Sequence, residues 1–222
     1  MRFLLSLLLL LVWASPSFAA PATQPDSSWI LAKDLTFTAK DKSFSIRQYQ
    51  KDEDIWQIWV FPKNQPAYLL KDPELDYCQD CAVWYPSPDG HWLARSQRIG
   101  SGTYTLQLYR CDKNQPLVPV AKVPLGYLAQ DFYEKHSGLT HEQCFIDHPV
   151  SEFVKWEGSR HLILALSGQS TLCQPMWVTH QWLVGYDLVD RKFFLTEKLI
   201  DKNVARIYPV IHPVSEAIPK GR

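Results

Sequence analysis

Two stretches of this chain repeat each other fifty residues apart. Trp56-Gln57-Ile58-Trp59-Val60-Phe61-Pro62-Lys63-Asn64-Gln65-Pro66 aligns without a gap on Leu106-Gln107-Leu108-Tyr109-Arg110-Cys111-Asp112-Lys113-Asn114-Gln115-Pro116, with five identities. The first four positions pair apolar with apolar, or Gln with Gln, so a strand pattern is repeated ahead of a shared Lys-Asn-Gln-Pro turn. A repeat of this period means a stack of similar β units, each burying its faces against its neighbours.

The strand grammar agrees. Phe44-Ser45-Ile46-Arg47-Gln48-Tyr49 alternates apolar and polar with period two, as a half-buried strand does. Residues 57–61 are apolar on both faces, Ile58 and Val60 on one and Trp59 and Phe61 on the other, which requires cover on both sides. Helical periodicity is weak, with the best candidate at residues 125–135. The second unit reads most clearly. Trp84-Tyr85 runs into Pro86-Ser87-Pro88-Asp89-Gly90 and out through His91-Trp92-Leu93-Ala94. Pro88 presets its φ, Asp89 bonds local backbone and Gly90 takes a left-handed conformation, so a tight turn joins two strands. Gly100-Ser101-Gly102 makes a second hairpin turn. A third unit comes next, with a turn at residues 156–160, a strand at 161–165, a strand at 182–187 and a turn at 190–192.

The stretch from Trp84 to Ala94, with an apolar strand some fifteen residues on, resembles the WD40-like PD40 repeat of TolB-type β-propellers over residues 84 to about 120. The resemblance implies a four-stranded blade and a protein-binding role. It transfers no site residue, because its signature residues form a turn. Propellers close with about four to eight blades, and three units are countable here. The expected fold is therefore all-β: a partial propeller-like stack of about three antiparallel sheets, with an irregular β-sandwich as the alternative. A late strand at residues 206–210 would return to cover an edge.

Residues 1–19 read as an export signal: Arg2, a Leu-rich run from Phe3 to Trp13, then Ser17-Phe18-Ala19 before the cut. The run is shorter than the roughly 20 apolar residues of a membrane span, and no later segment is apolar enough for one. Residues 20–35 read as a flexible leader and 36–222 as a single repeat domain. The expected location is periplasmic or extracellular. Charge is balanced, 23 basic against 23 acidic, with no basic block, which excludes nucleic acid as the expected partner.

Five cysteines in an exported chain imply disulfides and one thiol left over. Position favours a Cys144–Cys173 bridge across long irregular segments, and Cys78 paired with Cys81. Cys111 stands where the duplication has Phe61, so it reads as a buried thiol. Cys78-Gln79-Asp80-Cys81 has redox-motif spacing but precedes a strand, whereas that chemistry needs a helix N-terminus. His136, His141, Cys144 and His148, with Glu134, Glu142 and Asp147, could hold zinc. In an oxidising compartment, however, Cys144 is better read as bridged, and no metal or cofactor is expected. No nucleophile elbow, metalloprotease helix or phosphate loop occurs, and no catalytic residue is selected.

These features favour a binding protein over an enzyme, with another protein as partner and an unclosed stack that leaves room for self-association. The alternatives are a secreted carbohydrate hydrolase using Trp platforms and a carboxylate pair, and a periplasmic inhibitor or immunity protein.

Overall fold

The computed structural model describes residues 24–53, 55–71, 80–100, 102–112, 116–138, 146, 148–169 and 177–204. The expected signal peptide, Cys78, Cys144, Cys173, His141 and the expected strand at 206–210 lie outside them.

The described chain is mostly strand, in two sheets. The first holds β1 (Ile30–Leu31), β2 (Phe37–Thr38), β3 (Phe44–Asp52), β4 (Ile55–Pro62) and β5 (Tyr68–Leu69). Its spine is the order β1-β3-β4-β5, with β2 also on β3. Ile30 and Leu31, within the stretch expected as a leader, pair with Gln50 and Tyr49. The second sheet begins with β6 (Val83–Pro86), β7 (Trp92–Gly100), β8 (Thr103–Arg110) and β9 (Val118–Pro119). It continues with β10 (His148–Glu157), β11 (His161–Gln169), β12 (Trp177–Asp187) and β13 (Lys192–Phe194).

The all-β class expected from the sequence is what the chain adopts. The number of sheets differs from the expected three. Units two and three share one sheet, because β10 runs parallel to β8 and meets it at Val150 and Tyr104. Every other strand pairing among the described residues is antiparallel. β9 takes the same edge of β8 at Tyr109 and Arg110, so the two partners divide that edge between them.

The first two units repeat at the level of single hydrogen bonds. The Lys42 N–H donates to the Ala39 carbonyl (2.8 Å), and the Gly90 N–H to the Ser87 carbonyl (3.0 Å). The Ser43 N–H donates to Asp41 Oδ1 (3.0 Å), and the His91 N–H to Asp89 Oδ1 (3.1 Å). The Lys63 N–H donates to the Ser43 carbonyl and the Cys111 N–H to the His91 carbonyl, both at 2.8 Å. Each of these relations advances by 48 residues, as from 41 to 89. Lys42 holds φ 55° where Gly90 holds 75°, so unit one makes the same turn without the glycine. The outer corners instead repeat at fifty: Trp59 pairs with Leu69, and Tyr109 with Pro119. From hairpin tip to corner, β4 runs from Ile55 to Trp59 and β8 from Thr103 to Tyr109, two residues further. The two strands are equally long, so it is the outer partner that is seated two residues further along β8, and a shift of two leaves its faces where they were.

Neighbouring units pack face to face. Phe44, Ile46, Ile58 and Val60 of the first sheet pack with Leu93 and Tyr109 of unit two. The opposite face of unit two, through Ala94, Leu106 and Leu108, packs with Leu162, Leu164, Trp182 and Val184 of unit three. Helix α1 (Leu125–His136) seals that layer with Leu125, Ala129 and Tyr133, spaced four apart on one stripe. Pro124 stands at its N-cap, Lys135 and His136 favour its C-terminal dipole, and Gly138 at φ 77° lies just past its end. The region expected to be a helix or a turn is thus a full 12-residue helix. The last face, Ile163, Ala165 and Leu183, is covered by Leu199 of a second helix, α2 (Glu197–Val204).

Two buried side-chain amides lock the layers by imitating a peptide. Gln48 in β3 donates from Nε2 to the Ala82 carbonyl and accepts from the Ala82 N–H, both at 2.7 Å. Asn203 in α2 makes the same pair of 2.7 Å bonds to Leu183. Each joins an element to the backbone of its neighbour and gives both ends of its amide a partner.

Candidate functional site

The two equivalent turns face one cleft of about 490 Å³ where unit one meets unit two. Phe37 and Phe44, 6.2 Å apart and tilted at 46°, together with Trp92, Leu93 and Cys111, give it an apolar side. Lys40, Asp41, Asp89, His91 and Asp112 bring charged and polar groups to it. The sequence positions these residues simply. Each aspartate starts a turn that ends at an aromatic residue, Phe44 or Trp92, which begins the next strand.

Both carboxylates are held from below. Asp41 Oδ1 accepts from the Ser43 hydroxyl (2.6 Å) as well as from its N–H. Asp89 Oδ1 accepts from the Ser87 hydroxyl (2.6 Å) and the His91 N–H, and Ser87 Oγ accepts the Trp92 N–H (3.0 Å). Desolvation raises the Asp89 pKa, but bonds from Ser87, His91 and Ser159 outweigh it and hold the carboxyl below its ordinary range. Ser159 belongs to the turn between β10 and β11, so the turns of units two and three touch here. Asp89 is therefore ionised at neutral pH and fixed in place.

Cys111 lines the same cleft as a free thiol. Burial first, then the fields of Asp41 and Asp89, push its pKa up to about 12. A thiol so protonated is not a nucleophile at neutral pH. Cys81 is also free and half-buried, its pKa raised by burial and by Asp80. Its suggested partner, Cys78, lies outside the described residues.

A second polar cluster closes unit three. Arg160 reaches Asp187 through Nε and Nη2 (both 2.7 Å) and Asp190 through Nη2 (2.9 Å). His161 Nε2 stands 3.3 Å from Asp187. The Arg160 guanidinium holds the Asp187 carboxyl well below the usual range, and Asp187 Oδ1 accepts the N–H groups of Val189 and Asp190. Every group here is engaged in fastening the turn after β12, so the cluster reads as a brace.

Of the residues weighed for zinc, Glu134 and His136 lie on α1, and the His136 Nδ1 stands 2.8 Å from the Phe132 carbonyl. Among the described residues, no group of three or more His, Cys, Asp or Glu could hold a metal ion. No described helix is long and apolar enough to cross a membrane. None of the described tryptophans whose burial is resolved is exposed; Trp59 and Trp182 are buried and the others half-buried.

Sequence reading missed the cleft because it missed the unit-one turn. The signal was an Asp three residues ahead of an aromatic, at Asp41 and Phe44 as at Asp89 and Trp92, displaced by 48 residues instead of fifty. Compared with protein-family models, curated proteins and solved structures, the chain matches none.

Proposed function

We propose that this chain is an exported binding protein of blade-like repeats that recognises another protein in the periplasm or at the cell surface, and that the cleft between its first two turns is the contact point. The observation that carries this reading is the cleft itself: concave, apolar on one side, charged at the edge, and built on turns locked by their own hydrogen bonds. Recognition sites combine an apolar surface with a few fixed polar groups in this way. The matching turns and the face-to-face order of the three units support a propeller-like stack, open rather than ringed, and with it the resemblance of residues 84–120 to a PD40 blade. The signal-like residues 1–19 support export.

The hydrolase alternative asks for exposed Trp platforms and a carboxyl with a raised pKa to act as the acid. The described tryptophans whose burial is resolved are half-buried or buried, and Asp89 is shifted the other way.

Site-specific photo-crosslinking in the native envelope tests the proposal. A photoreactive residue replacing Lys40, exposed at the cleft edge, should give one dominant protein adduct. The same residue replacing Lys51, at the far end of β3, should not. Equal labelling from both positions, or none from either, refutes the assignment. N-terminal sequencing of the released protein should begin at Ala20 or Pro21; a membrane-bound species retaining Met1 refutes export.

A further inference from the structure

The chemistry of the cleft says what kind of group it would take. We propose that the cleft receives a lysine or arginine side chain projected by the partner protein. This inference rests on the binding reading and narrows it.

Three observations converge. First, among the described residues that line the cleft, the charges are three carboxylates, Asp41, Asp89 and Asp112, against one ammonium, Lys40, and one imidazole, His91. Arg110 stands 3.6 Å from Asp112 and offsets part of that excess. Asp89, the carboxylate between the turns of units two and three, is ionised and needs no rearrangement to meet a cation. Second, the apolar side is aromatic. Phe37, Phe44 and Trp92 line it and give a dry wall to the methylene stem of a long side chain. A compact inorganic cation would use the carboxylates and gain nothing from the wall. A neutral apolar group would use the wall and take water from the carboxylates while bringing them no charge, a cost that also turns away acidic segments. A long side chain with a cationic tip satisfies both. Third, burial first and then the fields of Asp41 and Asp89 raise the pKa of Cys111 at the same cleft, so both carboxylates act on a group inside it as well as at its edge.

The test uses the purified protein, two-dimensional amide NMR and three probes: a tetralysine peptide, its norleucine isostere and a tetraglutamate peptide. Tetralysine should shift the amides of Asp41, Ser43, Asp89, His91, Trp92 and Cys111. The shifts should weaken as salt rises, since the contact is partly exposed. The other two peptides should leave these amides unmoved. Asp89→Asn keeps an oxygen for the turn and removes the charge. It should weaken tetralysine by about tenfold or more, the effect of losing one charge-assisted contact. If that variant does not give a native spectrum, Asp41→Asn takes its place under the same expectation. Equal binding of the norleucine peptide, shifts confined elsewhere, or unchanged affinity in a folded charge-removed variant overturns the proposal. A partner crosslinked from position 40 through a segment without Lys or Arg also overturns it, and leaves the binding reading standing. A cleft that takes tetralysine but yields no protein adduct supports the chemistry, and it is then the protein-partner reading that fails.

Discussion

Replacing Gln48 isolates the bond pair that ties unit one to unit two. The side chain is 1% exposed and meets the Ala82 N–H and carbonyl at 2.7 Å and the Leu35 carbonyl at 3.3 Å. Ala82 is itself 2% exposed. Gln48→Met conserves length and shape, so it strands one buried donor and one buried acceptor. Each costs about 1–3 kcal/mol, giving about 2–6 kcal/mol in all. With a urea m-value of about 2 kcal/mol per M, the midpoint should fall by roughly 1–3 M. Intrinsic tryptophan fluorescence tracks the transition, since Trp84 packs against the layer and Trp59 is buried. Gln48→Glu adds a sign. The carboxylate can accept from the Ala82 N–H but faces the Ala82 carbonyl with no proton to give. Its folded pKa must rise above the unfolded value of about 4.3. The variant should therefore be closest to wild type below about pH 4.3 and fall behind it as pH rises. A Met variant within about 0.5 kcal/mol of wild type would refute the claim that this amide joins the layers.

The geometry fixes three further outcomes, and the sequence alone suggests a fourth. Lys42→Gly should stabilise by about 0.5–1 kcal/mol in urea melts, because it relieves a side chain held at φ 55°; a loss of stability would show that Lys42 contributes more than its backbone. Gly126→Ala should destabilise by about 1–3 kcal/mol, since a Cβ there would lie 2.5 Å from Ser151 Oγ and 3.3 Å from the Leu106 nitrogen. Cys111, raised from 9.0 to about 12, should resist alkylation at pH 8 until the protein unfolds. Its proton stabilises the fold fully below about pH 9, and that contribution, about 4 kcal/mol at most, is lost between pH 9 and 12, measurable as a growing deficit against Cys111→Ala. Non-reducing peptide mapping should recover Cys144 joined to Cys173; finding Cys111 in a bridge would contradict its place in the core.

Legible in the sequence was whatever depends on neighbours in the chain. Period-two alternation located β3, Pro88-Asp89-Gly90 located the turn into β7, and Glu157-Gly158-Ser159 located the turn into β11. Residues 125–135 stood out as the best helix candidate, but their weak periodicity left a turn equally open, and α1 is a full helix over Leu125–His136. Helix α2 was not legible, because its inward face is one leucine and one amide, Leu199 and Asn203, with Ile200 left 45% exposed. The merging of units two and three was hidden as well: a parallel bridge at one residue pair leaves no periodic trace. The cleft stayed dark for a local reason, since Lys42 adopts a conformation that its residue type does not announce.

The two-residue shift of the outer strand sets a rule for how such a unit can vary. The second strand of each ribbon has eight residues and the same hairpin register, advanced by 48, while the outer partner is seated two residues further along β8 than along β4. A slide of two residues is one pleat repeat, about 7 Å, and it returns the side chains of the outer strand to the same layer. A slide of one would turn them all to the opposite face. An outer strand can thus be re-seated in even steps without disturbing the ribbon it leans on. It also means that no single spacing superposes both the turns and the corners of one unit on those of its sibling.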